Sequence, residues 1–163
     1  MAFGRLCGDG SEWAGAKAGE AGIVTFSFFP HTGDVGVNVH ARSLELLFAD
    51  AASALTDTIT DHRLVVASRS TSIELSATAV DLLLVDWLND LIYRFETAGL
   101  LVARVNVAVM EHAGEWTVRG SARGERLDPT RHPIGTLVKA ATYHALEVVR
   151  SGDEWHATFV LDV

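Results

Sequence analysis

The spacing of apolar residues changes along this chain, and that change limits the folds open to it. Between positions 44 and 59 they recur at helical intervals (Leu44, Leu47, Phe48, Ala51, Leu55, Ile59). Ser43 precedes them as a cap, and Asp50 and Asp57 fall on the other side. A second helical run opens at Asp81 and carries Leu84, Trp87, Leu88, Leu91 and Phe95 before Gly99, a residue suited to a helix C-cap. Asp86, Asp90 and Arg94 lie four apart on it and read as a solvated face with one ion pair. Elsewhere the period falls to two. Residues 23–29 are rich in β-branched and aromatic side chains and end at Pro30. Alternation then recurs at Val35, Val37 and Val39, at Ile73, Leu75 and Ala77, and at Val105, Val107 and Val109. Trp116 and Val118 follow across a polar link containing Gly114, which predicts a hairpin. In a last strand Trp155, Ala157, Phe159 and Leu161 share one face, with His156, Thr158, Val160 and Asp162 on the other. Strands combined with two amphipathic helices, without regular βαβ repetition, predict an α+β fold: a mixed β-sheet packed against two main helices in a single domain.

A chain of 163 residues, 48% apolar and 21% charged, has enough material for one core and too little for two ordinary domains. Residues 1–22 are rich in Gly and Ala without a sustained period. They read as a flexible N-terminal leader, so residues 23–163 are expected to form the domain. Charge interrupts every apolar run well short of a bilayer-spanning length, and the leader lacks the apolar core of a signal peptide, so a cytoplasmic protein with no membrane association is expected. Cys7 is the sole cysteine, which excludes an internal disulfide and any multi-cysteine zinc site. Thirteen basic against 21 acidic residues leave a net charge of −8, so strong direct nucleic-acid binding is not expected. An acidic protein could instead dock on a basic RNA-handling partner. The oligomeric state is open.

Three places could carry chemistry. In residues 30–36, Gly33 and Gly36 relax the backbone around Asp34 just before a strand, a turn that can expose a carboxylate, although an aspartate there can equally hydrogen-bond turn amides. His31 beside it reads most simply as structural. Residues 128–133 begin with an Asp-Pro turn signal and include Arg131 and His132. Lys139, Thr142, Tyr143 and His144 then bring a cation, a hydroxyl, a phenol and an imidazole within six positions, suited to anion contacts or to a hydrogen-bonded core edge. At 162–163 the Asp162 side chain sits beside the α-carboxylate of Val163. Two such anions repel unless a cation lies between them. With Asp34 they would form an all-oxygen anionic site for a hard cation such as Ca²⁺ or Mg²⁺, not for zinc. A GxxxxGK phosphate loop, a GxGxxG turn, an HExxH pair and a GxSxG elbow are all missing from the sequence.

Five segments in this order resemble the archease family: HTGDVGV (31–37), SLELLFADAASAL (43–55), DLLLVDWLNDLIYRFE (81–96), DPTRHPIGTLVKAATYH (128–144) and LDV (161–163). The likeness runs from about position 26 to 163. It departs from the family pattern at Gly33, where Ala is usual, and at Leu137, where an acid is common. The resemblance implies an acidic metal site made of the aspartate of the HT-x-D motif, the penultimate aspartate and an oxygen of the last residue, here Asp34, Asp162 and Val163. Ca²⁺ is the first expectation for its occupant, with Mg²⁺ or Mn²⁺ as alternatives. It further implies a protein that is not an enzyme. Its role would be to activate an RtcB-type RNA ligase in tRNA splicing or RNA repair, by speeding that ligase's metal- and GTP-dependent guanylylation and supporting multiple turnover. His31, Arg131, His132, Lys139, Tyr143 and His144 remain open between partner contact, outer contact of the metal site, and local structure.

Two rival readings stay open beside it. The chain could be a stand-alone metal-dependent phosphoesterase, with Asp34 and Asp162 holding the ion and His31 or His144 as base. It could also be an adaptor in which the ion only knits the chain terminus to the 31–34 turn.

Overall fold

A computed structural model describes residues 13–19 and 22–163, with side chains from Phe26 onward. Its elements in chain order are β1 (Trp13–Gly19), β2 (Gly22–His31), β3 (Asp34–Ala41), α1 (Leu44–Ile59), β4 (Arg69–Ala77), α2 (Val80–Ala98), β5 (Leu100–His112), β6 (Glu115–Arg126), β7 (Ala140–Ser151) and β8 (Glu154–Asp162). A single 3-10 turn, His62–Leu64, follows α1. Of the leader expected over 1–22, residues 1–12, 20 and 21 lie outside the described residues, while Trp13–Gly19 pairs with β2 from Trp13↔Phe28 to Gly19↔Gly22.

The α+β class with two helices is as the sequence predicts. In place of one mixed sheet, however, the strands form two sheets, β1-β2-β3-β8-β7 and β4-β6-β5, and every pairing among the described residues is antiparallel. Tight hairpins dictate the pairings of β2 with β3, β5 with β6 and β7 with β8, because a chain that turns back in two residues can only pair antiparallel; β3 with β8 and β4 with β6 are joined by longer stretches of chain. Both helices pack against both sheets, and their apolar stripes join the inner faces of the strands in one core. Leu47, Phe48, Leu84, Trp87, Leu88, Val37, Phe159 and Val118 are all fully buried there. Trp87 satisfies its indole N–H by donating to the Phe48 carbonyl oxygen at 3.1 Å, which ties α2 to α1. No helix among the described residues is long and apolar enough to cross a membrane.

The helix signals are those the sequence displays. Ser43 Oγ accepts from the Leu46 N–H at 3.2 Å, and Gly99 closes α2 in the left-handed region at φ 68°. Arg94 pairs with Asp90 at 2.7 Å and reaches Thr71 Oγ1 at 2.6 Å, so this part of the helix surface is tied to β4. The polar side of α1 needs correction: Asp50 is buried, and the Asp57 side chain is 7% exposed and paired with His62. Both carboxylates are enclosed because the two sheets cover α1 on more than one side. β2 also runs beyond its expected end, through Pro30 to His31. The described β1 pairing stops at Phe28, so on that side the missing N–H of Pro30 costs no ladder bond.

Candidate functional site

The turn between β2 and β3 has only two residues, Thr32 and Gly33, with φ of 39° and 88°. Positive φ at both positions is the mirror-type hairpin whose twist matches its strands, and glycine tolerates it best. His31 and Asp34 close the hairpin as a cross-strand pair. Along β3, Val37 and Val39 turn into the core, which leaves Asp34, Gly36 and Asn38 on the outer face. Along β8, Phe159 and Leu161 turn inward, which leaves Val160 and Asp162 outward. Gly36 lacks a Cβ that would fall 2.2 Å from the Phe29 ring, so that ring can lie across the outer face next to Asp34.

β3 pairs with β8 through Val35↔Leu161. The next step of that register sets Asp34 opposite Asp162, two half-buried carboxylates on one face of the sheet. Directly opposed residues hold their Cβ atoms about 4.5–5.5 Å apart, and like charges there are unfavourable without a cation between them.

β7 completes the surroundings through an irregularity. After Thr142↔Val160 the register resumes only at Glu147↔Thr158, so residues 143–146 stand against the single Phe159, with Ala145 at φ 54°. This bulge brings His144 over the outer face, where its ring lies 4.9 Å from that of His31, and leaves Tyr143 65% exposed. His31 Nδ1 and Thr142 Oγ1 are buried without a hydrogen-bond partner among the described residues. Orphaned polar atoms are uncommon in folded proteins and point to a bound ligand or water. Lys139 frames the edge. Its backbone N–H donates to the Asp162 carbonyl oxygen at 2.8 Å, and its Nζ donates to the Val163 oxygen at 3.2 Å. The structure thus gathers Asp34, Asp162, Val163, His31, Lys139 and His144 at one end of the larger sheet.

Arg131 and His132 are used elsewhere. Arg131 grips both oxygens of Glu125 at 2.6 and 2.9 Å, and the fully buried His132 donates to the same carboxylate at 3.1 Å. His132 Nδ1 accepts from the Asp128 N–H at 2.9 Å, which assigns the ring proton to Nε2. The Arg131 guanidinium first, and then the Val66 N–H at 2.8 Å, pull the Glu125 carboxyl down to about 2. Both residues therefore latch the 128–133 loop onto β6. Leu137 lies 57% exposed on the segment leading to β7.

Sequence reading missed two features. Asn89 on α2 donates to the Ala141 carbonyl oxygen at 3.1 Å and accepts from its N–H at 2.9 Å, fixing the start of β7 where Ala140 pairs with Asp162. Asp57, Asp61 and His62 also bring ligand-type atoms within 4.8 Å of one another after α1. There Asp61 accepts from Arg63 Nε at 2.9 Å and caps the 3-10 turn, and Asp57 pairs with His62, so the group reads as a helix-end latch. An Asp-x-x-x-Asp-His spacing at a helix end was the available signal.

Comparison with known proteins follows the same residues. The model of the Archease protein family matches positions 26–163. Protein archease of Methanopyrus kandleri is 41% identical over 133 residues, covering 82% of this chain and 95% of that protein. The solution structure of protein 1598 of Methanobacterium thermoautotrophicum superposes with a TM-score of 0.73 at 29% identity, covering 85% of this chain and 98% of that one. A crystal structure from Thermotoga maritima, described as an archease and possible chaperone, shares the fold with a TM-score of 0.57 at 22% identity, covering 82% of this chain and 93% of that one.

Proposed function

The chain belongs to the archease family, and on that footing we propose that it is a protein cofactor that activates an RtcB-type RNA ligase in tRNA splicing or RNA repair. What supports the reading is the β3–β8 register, in which Asp34 and Asp162 each lie one residue past the Val35↔Leu161 pair. In this reading the two carboxylates and the Val163 oxygen hold a divalent cation, Ca²⁺ first and Mg²⁺ or Mn²⁺ as alternatives. The donor set fits: it is all oxygen, it contains no thiolate, and it suits hard cations. The two orphaned atoms nearby, His31 Nδ1 and Thr142 Oγ1, support a site that receives something.

Such a cation would supply positive charge against the phosphates of the ligase's nucleotidyl transfer. The chain's own residues do the rest. Asp34 and Asp162 set the position of the negative pair, the Lys139 main chain fixes Asp162 through its carbonyl oxygen, and the exposed Tyr143 and His144 on the bulge offer contacts to the partner. The net charge of −8 favours docking on a basic RNA-handling enzyme. A partner-assisting role also agrees with the chaperone description of the Thermotoga maritima relative.

The test is the guanylylation rate of the ligase with wild type, Asp34→Asn and Asp162→Asn. Both variants are expected to fold and to bind the ligase, yet to leave its rate near the unassisted level. A fully active double variant overturns the reading. The phosphoesterase rival draws on the buried, unpartnered His31 Nδ1 beside the carboxylates. It requires the purified protein to hydrolyse phosphate esters by itself and to lose that turnover in Asp34→Ala.

A further inference from the structure

The outer face of the smaller sheet carries a second site with chemistry opposite to the first. Arg104 on β5 and Arg123 on β6 stand directly opposite each other, both exposed on that face. Like charges in this position repel. Compensation within the sheet is missing, because the row is completed by Ser70 and the next row consists of Ser72, Ser121 and Asn106. The nearest acids along β4 and β6 are committed elsewhere: Glu74 to Arg119 at 2.8 Å and Glu125 to Arg131 at 2.6 Å. In a protein with eight more acidic than basic residues, two facing arginines with no acidic partner among the described residues are an arrangement suited to an external anion.

The backbone is shaped to produce it. The β5–β6 register shifts between Val102 and Arg104, leaving Ala103 without a partner, and bulges of this kind re-aim the adjacent side chain. Gly124 makes the shift sterically admissible, since a Cβ there would fall 1.7 Å from the Leu101 carbonyl oxygen. Beside the bulge lies a cleft of about 320 Å³ lined by His62, Arg63, Ala67, Ala103, Arg104 and Arg123. The acids beneath it are held within the helix-end latch, Asp61 by Arg63 and Asp57 by His62.

We propose that this cleft binds a phosphate group, with Arg104 and Arg123 as its two principal contacts and His62 and Arg63 on its wall. Phosphate fits better than carboxylate because it carries enough oxygens and charge to engage two guanidinium forks at once. The proposal stands apart from the cation site on the larger sheet and does not depend on the ligase reading. The phosphate could belong to a free nucleotide or to an RNA backbone, and both present the same oxyanion.

The experiment follows the arginine Nε–H resonances of the full chain during titration with inorganic pyrophosphate, with a short single-stranded oligoribonucleotide, and with a glutamate-rich peptide of equal length. Saturable shifts at Arg104 and Arg123 are expected with the two phosphate probes, at least tenfold weaker in Arg104→Gln and Arg123→Gln. Tighter binding of the oligoribonucleotide than of pyrophosphate assigns the backbone as source, and the reverse assigns a free nucleotide. Because the two arginines repel, each Gln variant is also expected to melt no lower than wild type without phosphate and to lose the rise in Tm that pyrophosphate gives wild type. Absence of shifts at both arginines, survival of binding in the Gln variants, or equal binding of the acidic peptide overturns the proposal.

Discussion

Asn89 makes both hydrogen bonds of a strand bridge with a single residue, Ala141, although Asn89 belongs to a helix. Its amide satisfies the backbone of β7 beside the Ala140↔Asp162 pair. Asn89→Ala is expected to leave two backbone groups without partners and to cost about 1–3 kcal/mol of stability. Urea denaturation measures this. Asn89→Asp, which keeps the acceptor but lacks the N–H that reaches the Ala141 carbonyl, should fall between the two. A variant as stable as wild type would show that β7 is held by β8 alone.

Lys139 donates through Nζ to the Val163 oxygen, the same oxygen proposed to face the cation. Ammonium and cation therefore compete. Lys139→Met is expected to tighten Ca²⁺ binding roughly two- to fivefold, the range of an exposed charge pair. Calorimetric titration checks it, and a weaker Ca²⁺ affinity in the variant would mean that Lys139 supports the site.

Glu125 gives a pH dependence with a definite sign. Its carboxyl lies at about 2 in the folded chain against an ordinary 4.5, held down first by Arg131. A depressed acid contributes stability that is complete above its unfolded value and is lost as pH falls toward its folded value. Wild type should therefore lose stability between about pH 4.5 and 2 more steeply than Glu125→Gln. Asp61 and Asp128 are lowered too, but they remain in both proteins, so the difference in slope isolates Glu125. Equal slopes in urea melts across this range would refute the latch.

Gly124→Ala tests the close approach of β5 and β6. A methyl group 1.7 Å from the Leu101 carbonyl oxygen must push the strands apart where the bulge lies. The expected loss is about 1–3 kcal/mol or somewhat more, read as a lower Tm. Gly114→Ala, at a turn position open to solvent but with φ of 82°, should cost less.

Much of the fold is legible wherever one residue settles a local choice. Ser43 and Gly99 bound their helices, and Thr32-Gly33 and Ala113-Gly114 mark their hairpins, because caps and mirror-type turns depend on near neighbours alone. β7 is hidden because the bulge at 143–146 breaks the alternation that reveals other strands. The burial of Asp50 and Asp57 is hidden because enclosure of α1 by two sheets is a tertiary fact. At the site, the carboxyl-bearing residues can be picked out from composition and position, yet their facing depends on the β3–β8 register. Arg131 and His132 illustrate the converse: residue types suited to binding are consumed by Glu125, itself unremarked in the sequence.

The pairing of β3 with β8 has a consequence for the order of events during synthesis. Asn38 and Thr158 hydrogen-bond at 2.9 Å across 120 residues of chain, and Asp34 lies beyond them on the same strand. A ribosome adding about 5–20 residues per second needs roughly 6–24 s to cover that interval, and far-separated pairings are intrinsically slow to form. A nascent chain carries Asp34 throughout that time without its opposite number. Cation capture across these two strands would then mark a molecule in which β8 has been made and has closed on β3, and would add its binding free energy only to that form.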